Sequence, residues 1–135
     1  MIHRHGARRG VAAVELAFLL PFLAFLFVIA VDWSRIFYFT VIVTNCARNG
    51  ALYACDPVTQ PSSPYQNVTA AALADAKDLS PAPTVTSSTG SDASGSYVDV
   101  TVSYTFQTVT NFPGVPTNTN VVRTVRMRTL PKVPN

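Results

Sequence analysis

The stretch that most constrains this chain runs from Val11 to Val31, Val-Ala-Ala-Val-Glu-Leu-Ala-Phe-Leu-Leu-Pro-Phe-Leu-Ala-Phe-Leu-Phe-Val-Ile-Ala-Val, where Glu15 is the only ionisable side chain. At about 1.5 Å rise per residue, a helix over this stretch is roughly 31 Å long, enough to cross a bilayer core of about 30 Å. Arg4, Arg8 and Arg9 precede it with no acidic residue among them. Positive flanks stay in the cytoplasm, so the expected topology is N-terminus in and C-terminus out.

Glu15 carries the most information. A carboxylate in an apolar segment costs a few kcal/mol unless something compensates it, and such residues are functional by default. A cut between Gly10 and Val11 would create the compensating charge: the new α-amino group, with a reference pKa of roughly 7.7 to 8.0, is mostly protonated near neutral pH. Glu15 would then lie one helical turn from that amine. Its carboxylate can answer its own N-terminus, the unpaired N–H groups of the first turn, or the amine of a neighbouring subunit. Two other readings compete. A secretory signal cut after Ala30 fits poorly, because its apolar core usually spans about 7 to 15 residues and contains no glutamate. In an uncleaved anchor, Glu15 merely reaches the headgroups.

Arg9-Gly10-Val-Ala-Ala-Val-Glu15 followed by a long apolar helix resembles a type IV prepilin leader. With Pro21, Asp32-Trp-Ser-Arg35-Ile-Phe-Tyr38 and Asn45-Cys-Ala-Arg48-Asn-Gly50-Ala-Leu-Tyr53-Ala54, the match narrows, and the first 54 residues resemble the TadE-like pseudopilins of the tight-adherence pilus system. The resemblance implies that Arg8 and Arg9 mark the leader for a prepilin peptidase, that Gly10 and Val11 flank the scissile bond, and that Glu15 serves subunit assembly. It implies a bacterial inner-membrane subunit, single-pass, whose partners are the peptidase, other pilus subunits and the assembly platform. It also implies a pilin-like plan, a long helix against a small sheet. Cys46 and Cys55 depart from the family pattern.

Charge and histidine content argue against other classes. The formal charge of +3 arises from ten Lys and Arg against seven Asp and Glu, and Arg4, Arg8 and Arg9 account for all of it. Nucleic-acid binding is not indicated. Both histidines, His3 and His5, precede Val11. Two imidazoles without a third ligand nearby make a poor zinc site, and removing the leader removes every histidine-based nucleophile pair. No enzyme activity, metal, cofactor or small-molecule substrate is expected.

Pro21 inside the apolar helix removes one backbone hydrogen bond and predicts a bend or local unwinding, usable as a packing point between subunits. Beyond Val31 the helix is expected to continue to about Ala54. Trp33, Ile36, Phe37, Val41, Thr44 and Ala47 recur at helical spacing as its packed stripe, with Asp32, Arg35, Asn45 and Arg48 polar. Trp33 and Tyr38 suit an interfacial aromatic belt, and Asp32 can pair with Arg35 just outside the hydrocarbon. On a continuous helix Cys46 and Cys55 lie roughly 13 to 14 Å apart, beyond the disulfide limit of about 7 Å. An internal bridge therefore requires a break near Gly50; an intersubunit bridge or two free thiols are the alternatives.

Asp56-Pro57 ends the helix, and a proline- and serine-rich linker follows. Asn67 to Leu79 predicts a short amphipathic helix with Val68, Ala71, Ala72, Ala76 and Leu79 inward. Asn67-Val-Thr69 matches a glycosylation triplet by coincidence. Thr84 to Ser88 predicts a strand and Thr89 to Gly95 a loop. The next strand alternates Val98, Val100, Val102, Tyr104 and Phe106 with polar residues. After a loop with Asn111-Phe-Pro-Gly114 and Pro116 comes a third strand from Asn120 to Leu130, its apolar face interrupted by Arg123. Arg123, Arg126, Arg128 and Lys132 form a basic end read as a solvated, edge-protecting face.

The expectation is an α+β chain: a basic leader over 1–10, a long helix over 11–55 that is transmembrane over 11–31, a linker over 56–66, and a small extracytoplasmic α+β domain over 67–135. The function expected is a pseudopilin or minor pilin for adhesion or secretion, the alternative being a permanently anchored extracytoplasmic binding module.

Overall fold

A computed structural model describes residues 6–109 and 117–130, with side chains from Gly10 onward. His3, His5, Arg4, the 110–116 loop and Lys132 lie outside the described residues. The chain forms the expected α+β arrangement. Helix α1 spans Gly6–Cys55, 50 residues, or about 75 Å. A 3₁₀ turn covers Gln60–Ser62; α2 spans Val68–Ala72 and tightens into a 3₁₀ turn over Leu73–Asp75. Strands β1 (Thr84–Asp92), β2 (Gly95–Gln107) and β3 (Asn118–Arg128) form one antiparallel sheet in sequence order.

Helix α1 runs unbroken through Pro21 and Gly50, so of the bend or local unwinding expected at Pro21, the unwinding does not occur. It stops where Asp56 precedes Pro57, a position biased away from helix. Asp56 Oδ1 accepts the Val58 and Thr59 N–H groups at 3.0 and 3.3 Å, turning the chain back. Gln60 Nε2 donates to the Tyr53 carbonyl, satisfying an acceptor in the last helical turn. Asn67 caps α2 by accepting the Ala70 N–H at 2.7 Å. This helix is shorter than the 67–79 expectation. Its continuation is consumed by the 3₁₀ turn and by Asp75, which accepts a hydrogen bond from Asn49 on α1. The inward set is nevertheless the expected one, with Ala71, Ala72 and Ala76 buried.

The sheet lies along the outer half of α1. At one end the Leu130 N–H donates to the Cys55 carbonyl at 2.8 Å. At the other the Val109 N–H donates to Asp32 Oδ1 at 3.0 Å. Between them the inner side of β2, Val98 through Phe106, is buried at every alternate residue, as its period of two predicts. Val121, Val125 and Met127 extend that surface from β3. Arg123, paired with Val102, interrupts it as expected; the side chain remains exposed and donates to the Val122 carbonyl.

The stripe expected to pack on α1 lies partly on its outer face. Trp33, Phe37 and Val41 are exposed and Thr44 with them, whereas Val43, Cys46, Ala47, Gly50 and Ala51 are buried against the sheet. Apolar residues occur almost all round this part of the helix, so periodicity alone does not choose a face. Side-chain size does: the small residues let the helix axis approach the sheet. A Cβ on Gly50 would lie 3.0 Å from Val100 Cγ1 and 3.1 Å from the Ala72 Cβ. Gly50 is a contact point for β2 and α2, not a hinge.

The first hairpin is longer than expected. β1 continues to Asp92, shrinking the 89–95 loop to a turn in which Asp92 Oδ1 accepts the Ser94 N–H and Gly95 adopts φ +115°. On the outer side, the ring of Tyr97 covers Gly90 so closely that any side chain at position 90 would collide with it. Arg126 stacks 3.9 Å from the Tyr97 centroid. Arg126 also grips Asp99 through two bonds of 2.7 Å, and Arg128 grips Asp92 at 2.6 and 2.9 Å. The Arg126 and Arg128 guanidiniums hold the Asp99 and Asp92 carboxyls below the usual carboxylate range. The expected basic end is therefore largely neutralised where it is described.

Candidate functional site

Two places on α1 carry polar groups in apolar surroundings. The first is its N-terminal turn region. Gly10, Val11 and Glu15 are all exposed on one continuous helix, with Glu15 one turn after Val11. A Cβ on Gly10 would meet nothing within 4 Å, so the chain's own packing gives no reason for glycine there. Arg8 and Arg9 lie in the same helical backbone. From Gly10 to Phe27 every residue is exposed, including Phe18, Phe22 and Phe27. Pro21 is on this bare stretch. Helix α1 is long and apolar enough to cross a membrane, and its most apolar stretch is entirely unburied.

The second place is where the sheet begins to cover the helix. Asp32, expected as a surface partner of Arg35, is 5% exposed. Its carboxylate holds the Val109 N–H, two residues past the end of β2, while Arg35 Nη1 stays 3.8 Å from Asp32 Oδ1, too far for a hydrogen bond. Arg35 Cζ also lies 5.9 Å from the ring centroids of both Phe39 and Phe106, which contact each other at 5.0 Å. Asp32 is thus the anchor that fixes the near end of the sheet to the helix. Sequence reasoning missed this role, because the partner is a backbone N–H 77 residues away. The only local hint was an acid inside an otherwise apolar helical surface.

Cys46 and Cys55 are both free thiols, the first buried and the second partly so. The unbroken helix forbids the internal bridge considered from sequence, since it never supplies the break near Gly50 that the bridge requires. Burial, and secondarily the Asp75 charge, push the Cys46 thiol up; Cys55 donates weakly to the Leu52 carbonyl. Among the described residues no group of three or more His, Cys, Asp or Glu could hold a metal ion.

These features define a class: a protein with a single N-terminal apolar helix, as a single-pass membrane protein has, carrying a small antiparallel sheet on that helix's far half. Within the class the helix is similar to TadE-like proteins. The family model described as TadE-like protein matches residues 10–52, nearly all of α1 and none of the sheet. No curated protein matches the chain, and no solved structure does.

Proposed function

We propose that this chain is a pseudopilin or minor pilin of a tight-adherence pilus or a related secretion fibre, matured by a prepilin peptidase that cuts between Gly10 and Val11. The observation that carries the reading is that the TadE-like match falls on a helix whose most apolar stretch is unburied among the described residues. Such a surface needs lipid before assembly and other helices after it. The TadE-like family is pilus-associated and generally non-enzymatic, and we assign no catalytic residue.

The steps follow from the residues. Arg8 and Arg9 keep the leader at the cytoplasmic face of the inner membrane, within reach of the peptidase. Gly10 costs helix propensity of about 1 kcal/mol relative to alanine and fills no packing need in the chain. Its use is to let an outside protein approach the backbone at the scissile bond. Cleavage turns Val11 into an ammonium. Glu15 pairs with the ammonium of a neighbouring subunit as the helix leaves lipid for a helical bundle, and Pro21 offers that bundle a free carbonyl to satisfy. Subunits and assembly platform are thereby the partners, and the sheet domain faces away from the cytoplasm.

Glu15→Gln tests the pairing. Glutamine preserves size and polarity, so cleavage and insertion persist, while one buried charge is left alone at a cost of roughly 3 to 5 kcal/mol. Crosslinking to the other pilus subunits is expected to vanish although the protein still begins at Val11 by N-terminal mass analysis. Normal crosslinking of the correctly cut variant would sink the pairing role. A bulky residue at Gly10 is expected to leave the full-length form in the membrane. A wild-type protein that stays uncut beside an active prepilin peptidase would instead be a permanently anchored binding module.

A further inference from the structure

An open cleft of about 500 Å³ lies at the near end of the sheet, lined by Arg35, Ser80, Tyr104, Thr105, Gln107 and Asn118 among others. Its volume is within the range of roughly 300 to 1,000 Å³ typical of small-ligand sites. The lining apart from Arg35 is neutral and rich in hydroxyl and amide groups. Among the described lining residues Arg35 is the one cation, and it is under-used. Nη1 is buried with no hydrogen-bond partner, and among the described residues the guanidinium's contacts are the 3.8 Å approach of Asp32 and the faces of Phe39 and Phe106. Nη1 is turned towards Asp32, and the side chain as a whole is 36% exposed, so the rest of the guanidinium is open to a ligand in the cleft. The arginines of the outer sheet surface, Arg126 and Arg128, are by contrast each gripped by a carboxylate.

The position of the cleft selects the ligand. On the reading that the membrane-spanning part of α1 ends near Val31, Arg35 stands about 6 Å farther along the axis. The headgroup layer extends roughly 5 to 7 Å beyond the hydrocarbon on each side. Trp33 and Tyr38, both largely exposed, flank Arg35 as interfacial aromatics do. A planar guanidinium lying beside two adjoining rings, with hydroxyl and amide donors across the cleft, suits an oxyanion with several acceptor oxygens.

We propose that the cleft binds the headgroup phosphate of a glycerophospholipid, with Arg35 as its cation and the Asp32 carboxylate as the group that orients Arg35 without saturating it. The bound lipid would fix the sheet domain at a set height and rotation above the bilayer. The proposal rests on the membrane-spanning reading of α1.

The test uses full-length protein extracted from membranes, delipidated in detergent, and offered equimolar phosphatidylglycerol and a phosphate-free galactosyl diacylglycerol. Native mass spectrometry counts the adducts. Wild type is expected to retain one phosphatidylglycerol with a preference of roughly tenfold, the factor that a charge-assisted hydrogen bond supplies. Arg35→Gln is expected to lose that preference with its near-ultraviolet circular dichroism unchanged; Arg48→Gln, an exposed cation farther along α1, is expected to keep it. Equal adducts of the two lipids on wild type, or a preserved preference in folded Arg35→Gln, would overturn the inference. So would displacement of the lipid by millimolar inorganic phosphate, which would make the site one for the free ion. Alkaline carbonate extraction separates the two failures: a protein that stays in the membrane but shows no preference refutes the headgroup site alone, whereas release from the membrane refutes the spanning helix and the site together.

Discussion

The two halves of α1 are built from similar apolar residues and solve opposite problems. From Gly10 to Phe27 every residue is exposed among the described residues, large side chains included. From Val31 to Cys55 one face packs on the sheet, through Ile36, Phe39, Ile42 and Val43 at its near end and through the small Cys46, Ala47, Gly50 and Ala51 where the sheet comes closest. Hydrophobicity alone does not distinguish a helix meant for lipid or other subunits from one meant for its own domain. The distinction lies in side-chain volume. Close approach of a sheet needs small residues on one stripe, whereas a surface that adapts to lipid can be bulky all round. The exposed Trp33, Phe37 and Val41 carry the bulky surface past the membrane half, so the outer half of α1 has a packed face and a bare one.

Truncation probes this contrast with the largest expected effect. Phe106 is 2% exposed beneath the near end of the sheet, and Phe106→Ala is expected to destabilise the outer domain by about 3 to 5 kcal/mol. Phe22→Ala removes the same atoms from the bare half and is expected to leave thermal unfolding of that domain, followed by near-ultraviolet circular dichroism in detergent, where it was. Equal losses from the two variants would show that the halves are not independent.

Overpacking gives a smaller and sharper result. Gly50→Leu forces a side chain into Val100 and Ala72, which are already within 3.0 and 3.1 Å of a Cβ. Chemical denaturation is expected to show a loss of about 1 to 3 kcal/mol. Gly10→Leu meets no atom, so the same assay should show no loss, and only maturation should respond. A stable Gly50→Leu protein would mean that α2 can lift away from the helix.

The smallest effect belongs to the outer sheet surface. Arg128 lowers the Asp92 carboxyl and Arg126 that of Asp99, chiefly through hydrogen bonding. Because the folded carboxyls titrate below their unfolded values, their contribution is fully present above roughly pH 4 and is lost as pH falls through the lower folded values. Melting of the outer domain is expected to decline slightly as the pH falls below about 4, and this increment should be absent in Asp92→Asn/Asp99→Asn. These are surface pairs, screened by salt, so high ionic strength should shrink the increment further.

Much of the plan was legible in the chain. The apolar length of the first helix, the alternation from Val98 to Phe106 and the stop at Asp56-Pro57 each depend on short-range rules that neighbouring residues are enough to satisfy. Strand ends were less legible. The stretch from Thr89 to Asp92 has no apolar alternation, and it joins the strand because β2 beside it supplies the ladder partners. The N-terminal candidates Gly10, Val11 and Glu15 follow from local spacing, and all three are exposed among the described residues.

The sequence by itself determined where apolar surface is concentrated, which strand is buried on one side, and where the charges sit along the chain, because these are properties of a residue and its neighbours. Only the tertiary structure decided which face of the outer helix turns inward, that Gly50 is a contact instead of a break, that Cys46 and Cys55 stay apart, and that Asp32 anchors the end of β2. Each of those depends on groups distant in sequence meeting at a few ångströms. A helix with apolar residues on every side does not encode that choice until the sheet arrives to make it.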